Sequence, residues 1–247
     1  SSWESFVPVS GSAIDFGTGF GAQERLSELL LKYYNQTSPV VETRDSSTAE
    51  SSSTSGYHLD KVYEMSGVKK DIAVLDHDKD LAIDTGSIQL TFNADTVSGN
   101  RGLISKGGEG YDDDFSAWIQ NGKLVLAFEN PDGQKVTITK AGIKANTDYD
   151  LLITFDEKNV TVWLDNTKVG QATFDLDLSG NSEYLVLGGV NGQSARGTVN
   201  KVGSFFDGTI SNLSVYDTVL TPSEFAALEV IRHSHDVATT GNHVITY

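Results

Sequence analysis

A short acidic segment contains the residues of this chain whose types and spacing most clearly suggest chemistry. Residues 107–114 include three glycines and four acids, and they end in the run Asp112, Asp113 and Asp114. Calcium takes several carboxylate and carbonyl oxygens in a flexible geometry, and glycines leave neighbouring carbonyls accessible. We interpret the segment as a calcium site. The alternative is a solvated loop held only by its own turn hydrogen bonds.

Predicted strands lie next to this loop. Residues 115–119 alternate apolar and polar side chains, which is the period of a half-buried strand. Asn121-Gly122 then predicts a hairpin, because a type I′ turn needs positive φ at both central positions. Residues 124–128 alternate in the returning strand. The pattern therefore predicts an acidic loop, a strand, a tight turn and a second strand.

Trp118 is a second candidate for function. It falls out of phase with Phe115, Ala117 and Ile119 on its predicted strand. If those three side chains face the core, Trp118 faces the other side of the sheet. An exposed indole ring is a surface on which a sugar can stack. The alternative is ordinary packing of the ring in a core or against a second sheet.

The charge of the chain excludes two classes of partner. The sequence has 34 acidic and 18 basic residues and a formal net charge of -16. Nucleic acids and anionic membranes attract clusters of Lys and Arg, so neither is expected as a partner. No apolar run approaches the ~20 residues of a membrane helix, so membrane insertion is not expected either. The chain has no cysteine, so disulfides play no part.

The remaining pattern predicts an all-β fold. Many short alternating segments follow one another at spacings of about 8–12 residues, which is typical of an antiparallel two-sheet jelly-roll sandwich. A helix is predicted over residues 22–35 from apolar side chains at helical spacing. The capping box Thr221-Pro222-Ser223-Glu224 opens a short C-terminal helix over residues 225–231.

One polar stretch suggests a boundary in the chain. Residues 43–55 are rich in Ser and Thr and have no period, so they are interpreted as a loop or linker. We divide the chain into an N-terminal extension, residues 1–55, and a sandwich, residues 56–247. The extension either completes the same domain or forms a separate lobe.

Three groups of motifs resemble a known family. They are Gly-Leu-Ile-Ser-Lys, Gly-Tyr-Asp-Asp-Asp-Phe and Ile-Gln-Asn-Gly-Lys-Leu in 102–124, Tyr-Asp-Leu-Leu-Ile-Thr-Phe and Val-Trp-Leu-Asp-Asn in 149–166, and Phe-Asp-Gly-Thr-Ile through Leu-Thr-Pro-Ser-Glu-Phe in 206–225. Together they are similar to the laminin-G-like, concanavalin A-like jelly roll of bacterial secreted proteins. The resemblance implies that fold, within a family of carbohydrate-binding lectin modules, adhesive domains and more distant glycosidases and lyases.

The resemblance also implies metal ligands. Alignment on the Asn-Gly turn matches Asp113 or Asp114 to a calcium ligand of the family and places a backbone carbonyl ligand near Asn130. A structural calcium ion near Asp80 or Asp84 is implied as well, with a plain acidic turn as the alternative. Asp80 ends an Asp-x-Asp-x-Asp run, but Leu81 stands where an EF-hand loop needs Gly, so that loop is excluded.

Loop residues complete the predicted ligand site. Residues 191–200 are polar and Gly-rich, and the resemblance places them at the same end of the sandwich as the acidic loop. Loops on a rigid scaffold commonly carry binding residues. Asn191 and Arg196 are therefore predicted to bind ligand together with Trp118.

These observations favour a non-catalytic function. The expected protein is a calcium-supported extracellular module that binds a glycan or another cell-surface ligand in adhesion, as part of a larger secreted protein. The first alternative is a polysaccharide-degrading lyase or glycosidase, although the Glu-x-Asp-x-x-Glu motif of glycosidases on this fold is absent. The second alternative is a structural spacer in a large adhesin.

Overall fold

The computed structural model describes residues 20–34, 56–107, 114–191 and 202–240. These residues fall into two compact units, and one of them is Gly56–Val219. The other contains the helices α1 (Phe20–Tyr34) and α2 (Pro222–Thr240), which contact each other. None of the described helices is both long enough and apolar enough to span a lipid bilayer.

All strands of the described residues lie in the Gly56–Val219 unit. They are β1 (Tyr57–Leu59), β2 (Tyr63–Ser66), β3 (Ala73–Leu75), β4 (Gly86–Ala94), β5 (Asn100–Lys106), β6 (Asp114–Gln120), β7 (Lys123–Glu129), β8 (Lys135–Ala141), β9 (Asp148–Phe155), β10 (Asn159–Leu164), β11 (Thr167–Thr173), β12 (Leu185–Leu187), β13 (Val190–Asn191), β14 (Val202–Gly203) and β15 (Asp207–Tyr216).

The strands form two large antiparallel sheets with one core between them. The first has seven strands in the order β1-β15-β4-β9-β10-β11, with β2 also paired to β15. The second has six strands in the order β3-β12-β5-β6-β7-β8. Buried Leu, Ile, Val and Phe side chains from both sheets share a single cluster. The predicted two-sheet sandwich is thus confirmed.

The hairpin between β6 and β7 follows the predicted turn. Asn121 and Gly122 have φ of 49° and 74°, so both central positions are positive. The resulting register pairs Trp118 with Val125 and places Ala117 beside Leu126. Ala117 is fully buried in the core. Because side chains alternate along a strand, Trp118 lies on the outer face of the sheet, as expected.

A β-bulge in β15 changes the phase of its apolar side chains. Ile210 and Leu213 would point to opposite faces of a regular strand, yet both are buried in the core. The pairing with β4 shifts between Ser211 and Ser214, and Asn212 lies between them with φ of 55°. The extra residue brings the two apolar side chains to the same face.

Both predicted helices are present, but the second is longer than the predicted one. The Thr221 N–H donates to Glu224 Oε2 (2.9 Å), and the Glu224 N–H donates to Thr221 Oγ1 (3.3 Å), which confirms the capping box. The prediction of a short helix is wrong, because α2 continues to Thr240. A salt bridge between Glu229 and Arg232 (2.8 Å) supports the continuing turns.

A buried lysine connects β5 to the segment between β11 and β12. Lys106 is only 1% exposed. Its Nζ donates to the carbonyl oxygen of Asn181 (2.7 Å), to Oδ1 of the same residue (2.8 Å) and to the carbonyl oxygen of Glu183 (3.0 Å). An ammonium group has three protons, so these three acceptors match its donors. The charge is therefore accommodated inside the protein by oxygen atoms.

Candidate ligand-binding face

A partly exposed aromatic ring and a row of polar side chains share the outer face of the six-stranded sheet. The ring is that of Trp118, which pairs with Gly102 on β5 and with Val125 on β7. The adjacent row runs across β5, β6 and β7 and holds three exposed polar residues: Asn100, Gln120 and Lys123. We call Trp118 and this row the Trp118 face. It combines an apolar ring with hydrogen-bonding groups on paired strands.

A small sheet that the sequence pattern does not predict borders this face. β13 pairs with β14 and lies against β5 and β6. Ser105 Oγ donates to the carbonyl oxygen of Gly189 (3.2 Å), just before β13. A Cβ atom on Gly102 would lie 2.5 Å from the carbonyl carbon of Gly189. The missing side chain at position 102 therefore allows the backbone of this segment to cross close to β5.

The predicted ligand residues fall partly within this region. Asn191 was expected in a loop, but it is the last residue of β13. That strand contacts β6, which carries Trp118. Arg196 lies outside the described residues. The structure thus brings the strands of Trp118 and Asn191 together, and the binding roles of all three residues stay predictions.

The acidic segment is described only at its last residue. Asp112 and Asp113 lie outside the described residues, whereas Asp114 begins β6 opposite Glu129 on β7. Asn130 directly follows Glu129, so the sheet brings Asp114 and Asn130 to the same end of the β6–β7 hairpin. Glu129 also forms a salt bridge with Lys135 (2.7 Å).

Local hydrogen bonds account for the burial of Asn130, which is 5% exposed. Its Oδ1 accepts from the Gln134 N–H (2.9 Å), its Nδ2 donates to Gln134 Oε1 (3.1 Å), and its carbonyl oxygen accepts from the Gly133 N–H (2.9 Å). Asn130 therefore closes the turn between β7 and β8. Within the described ranges, no three His, Cys, Asp or Glu side chains are grouped to hold a metal ion. The roles of Asp112, Asp113, Asp114 and Asn130 as calcium ligands stay predictions.

Asp80, the other predicted metal position, lies in a one-turn 3-10 helix, Lys79–Leu81. The Asp80 N–H donates to Asp78 Oδ1 (2.9 Å), which caps this turn. Asp80 Oδ1 accepts from Lys79 Nζ (2.6 Å). This hydrogen bond and the negative charge of Asp80 raise the pKa of Lys79 above its ordinary value. These contacts place Asp80 in an acidic turn, and its role as a calcium ligand stays a prediction.

Solved structures share the fold of the sandwich. The chain is similar to the carbohydrate-binding module CBM40 of the Ruminococcus gnavus intramolecular trans-sialidase, with 20% identity and a TM-score of 0.52 over 68% of this chain and 97% of that chain. A leech intramolecular trans-sialidase matches with 19% identity and a TM-score of 0.54, over 69% of this chain and 27% of that chain. The NanB sialidase from Streptococcus pneumoniae matches with 16% identity and a TM-score of 0.53, over 68% and 27%. At these identities the likeness concerns the fold alone.

The family is established by sequence. A search of curated protein sequences found no match. The family model described as the concanavalin A-like lectin/glucanases superfamily matches residues 68–226, which include most of the sandwich and the start of α2. This region is more than half of the 247 residues, so the chain belongs to the laminin G-like family of the concanavalin A-like lectin/glucanases superfamily.

Proposed function

We propose that this domain is a carbohydrate-binding module that binds a glycan on the Trp118 face. The observation that carries the proposal is a partly exposed indole ring beside a row of exposed amide and ammonium groups on paired strands. A sugar ring has an apolar face and a rim of hydroxyl groups. The indole suits the apolar face, and the amides of Asn100 and Gln120 can both donate to and accept from the hydroxyls.

The comparisons support a binding module of this size. The CBM40 domain is solved in complex with α2,3-sialyllactose, and the chain covers 97% of its length. The leech and pneumococcal enzymes are much longer, and the chain covers 27% of each. A shared fold does not specify a ligand. The position of the glycan therefore rests on the residues of the Trp118 face.

Replacing Trp118 with alanine should weaken glycan binding about tenfold, because the sugar loses its stacking surface. A glycan array first identifies the best ligand, and isothermal titration calorimetry then compares the native protein with Trp118→Ala. Thermal unfolding of both proteins checks that the fold is retained.

Trp163→Ala is the matched control for this experiment. Trp163 is also a partly exposed tryptophan on a strand, but it lies on β10 of the seven-stranded sheet. Its removal should leave the affinity unchanged. The Trp118 face is refuted as the glycan site if no glycan on the array binds. It is also refuted if Trp118→Ala and Trp163→Ala lose the same amount of affinity. Release of new reducing ends from the array ligand would instead identify an enzyme.

We further propose that calcium binds at the acidic segment through Asp112 and Asp113. Extracellular modules bind calcium with Kd of about 10⁻⁴ to 10⁻³ M. At ten times Kd, the ion stabilises the folded state by about 1.4 kcal/mol, which raises Tm by about 3–6 °C in a protein of this size.

Differential scanning calorimetry with about 10 mM calcium measures this shift. The double variant Asp112→Asn, Asp113→Asn should lose it, and an unchanged Tm of the native protein would remove calcium from the proposal.

The same proposal assigns the domain to the extracellular part of a larger secreted protein. Such weak calcium affinity is useful where the ion is abundant, which is outside the cell. The strongly negative net charge of -16 also suits a soluble surface that does not bind nucleic acid.

A further inference from the structure

The strands around Trp118 restrict the direction in which a bound glycan chain can extend. On the β5 side, β13 lies against β5 and β6, and the backbone at Gly189 crosses close to Gly102. Trp118 pairs with Gly102 on that side and with Val125 of β7 on the other. Beyond β7 the sheet contains one more strand, β8. A glycan on the indole ring is therefore bounded at β5 by the described residues and can continue toward β8.

The burial of Val125 indicates how the indole ring lies. Leu124 and Leu126 belong to the core, so Val125 between them points to the outer face of the sheet. It is nevertheless only 5% exposed. Its partners on the neighbouring strands are Trp118 and Thr139, and Trp118 is much the larger. An indole ring that extends over Val125 accounts for this burial and directs the stacking surface toward β8.

Two exposed threonines continue this outer surface on β8. Thr139 pairs with Val125, and Thr137 pairs with Ala127. Ile138 between them is buried in the core, so both threonines lie on the outer face. Each hydroxyl can donate one hydrogen bond and accept two, which suits the hydroxyl groups of a sugar. The side chain of Ala127 is a single methyl group, so it leaves Thr137 accessible from the direction of Trp118.

The spacing of the strands sets the length of the ligand. Neighbouring strands lie about 4.8 Å apart, so β6 and β8 are separated by about 10 Å. A first sugar ring on the indole and a second ring over the two threonines together cover this distance. β8 is the last strand of its sheet. A third ring would therefore extend past the sheet and gain no contact with its strands.

The charged side chains on either side of this path balance one another. Lys123 lies in the row on one side, and Asp114, Glu129 and Lys135 form a row on the other side. Two positive and two negative groups give a local formal charge of zero, and Lys135 is already paired with Glu129 (2.7 Å). The whole chain carries a formal charge of -16. An anionic glycan thus gains no net attraction from these groups and is repelled by the chain as a whole.

We propose that the Trp118 face binds a neutral glycan in units of two sugar rings, the first stacked on Trp118 and the second hydrogen-bonded to Thr137 and Thr139. The inference rests on the proposed function and adds the ligand class, the direction of the chain and two residues that determine specificity. A β-1,4-linked chain is extended, so both of its rings can contact the sheet at once. The second ring is recognised through its hydroxyl groups.

NMR titration with chains of one, two and three rings tests the length of the site. The probes are the β-1,4-linked series of glucose, mannose, xylose and N-acetylglucosamine. In at least one series the disaccharide should bind about tenfold more tightly than the monosaccharide, and the third ring should add less than about twofold. The proposal is overturned if no series binds, or if the third ring adds as much affinity as the second.

The double variant Thr137→Val, Thr139→Val tests the second ring. It removes both hydroxyls and keeps the side-chain volume and the strand propensity. The affinity for the disaccharide should fall about fivefold, and the affinity for the monosaccharide should stay within about twofold of the native value. A variant with native affinity for the disaccharide would contradict the assignment of the two threonines.

Thr167→Val, Thr173→Val is the matched control for the double variant. These two threonines are also exposed, and they lie on β11, the last strand of the other sheet. The control should leave the affinity for both sugars unchanged. A loss of disaccharide binding as large as that of the β8 variant would overturn the proposal, because it would show a general effect of removing exposed hydroxyls.

Lactose and α2,3-sialyllactose test the charge of the ligand. The acidic probe is chosen because the CBM40 module is solved in complex with it. We expect the acid to bind this protein no more tightly than lactose. Tighter binding of α2,3-sialyllactose that is lost in Trp118→Ala would overturn the assignment to neutral glycans.

Failure of this inference differs from failure of the proposed function. A glycan that depends on Trp118 but not on Thr137 and Thr139 refutes the second ring position and leaves the proposed function intact. An acidic ligand that depends on Trp118 refutes the ligand class and likewise leaves the proposed function intact. Equal losses in Trp118→Ala and Trp163→Ala refute both.

Discussion

Replacing Lys106 with methionine should destabilise the sandwich by about 2–3 kcal/mol, within the range for leaving buried acceptors without their charged donor. Methionine fills a similar volume but donates no hydrogen bond. The carbonyl oxygens of Asn181 and Glu183 and the Asn181 Oδ1 would each lose the ammonium group that now lies 2.7–3.0 Å away. Asn181 Oδ1 keeps the Glu183 N–H as a donor (3.0 Å), so the desolvation cost falls mainly on the two carbonyl oxygens.

The position of the lysine explains why the effect should be large. Lys106 is 1% exposed and Asn181 is 4% exposed, so water cannot readily replace the lost donor. Asn181 also donates from Nδ2 to the Lys106 carbonyl oxygen (3.2 Å) and accepts from the Glu183 N–H at Oδ1 (3.0 Å). The segment before β12 is thus attached to β5 from both directions.

Urea unfolding followed by tryptophan fluorescence measures this loss. Lys123→Met is the matched control, because Lys123 is exposed on β7, and it should change the free energy of unfolding by less than about 0.5 kcal/mol. A loss below about 1 kcal/mol in Lys106→Met would show that the three contacts contribute little.

The substitution Gly102→Ala should cost about 2–3 kcal/mol of stability and should also weaken glycan binding. The new Cβ would lie 2.5 Å from the carbonyl carbon of Gly189, 2.6 Å from the nitrogen of Val190 and 2.8 Å from the Cα of Gly189. All three are backbone atoms, so no side-chain rotation relieves the clash. Either β5 or the segment entering β13 must shift.

The movement would reach the proposed glycan site. Gly102 pairs with Trp118, and β13 lies against the strand that carries it. Displacement of β13 should therefore change the environment of the indole, which intrinsic fluorescence detects in the folded protein. Calorimetry with the array ligand then measures the accompanying loss of affinity.

Gly203→Ala is the control for this prediction. Gly203 is in β14, the partner of β13, and a Cβ there would meet no atom within 4 Å. It should change stability by less than about 0.5 kcal/mol. Native-like stability and affinity in Gly102→Ala would mean that the two backbone segments separate at little cost.

Much of the sandwich can be predicted because the signals for strands and tight turns lie in neighbouring residues of the sequence. Alternation identifies which side chains of β6 and β7 face the core, and Asn121-Gly122 specifies the turn between them through its φ values. The same alternation identifies Trp118 as an outward-facing ring. The capping box that starts α2 is also a local signal, since all its hydrogen bonds lie within Thr221–Glu224.

Other features have no local signal. β13 and β14 are two residues each, too short for a period, and the segment 192–201 separates them along the chain. Lys106 resembles any polar residue at a strand end until the structure brings Asn181 to it. The bulge in β15 is seen only through its pairing with β4. Each depends on residues that are distant in the sequence.

The amino-acid sequence by itself determines where the strands lie, which of their faces is apolar and where the tight turns occur, because these properties depend on neighbouring residues. Only the tertiary structure decides that β13 borders Trp118 and that Lys106 is buried among carbonyl oxygens. Sheet order brings these groups together, and it follows from the packing of the whole core rather than from any one segment.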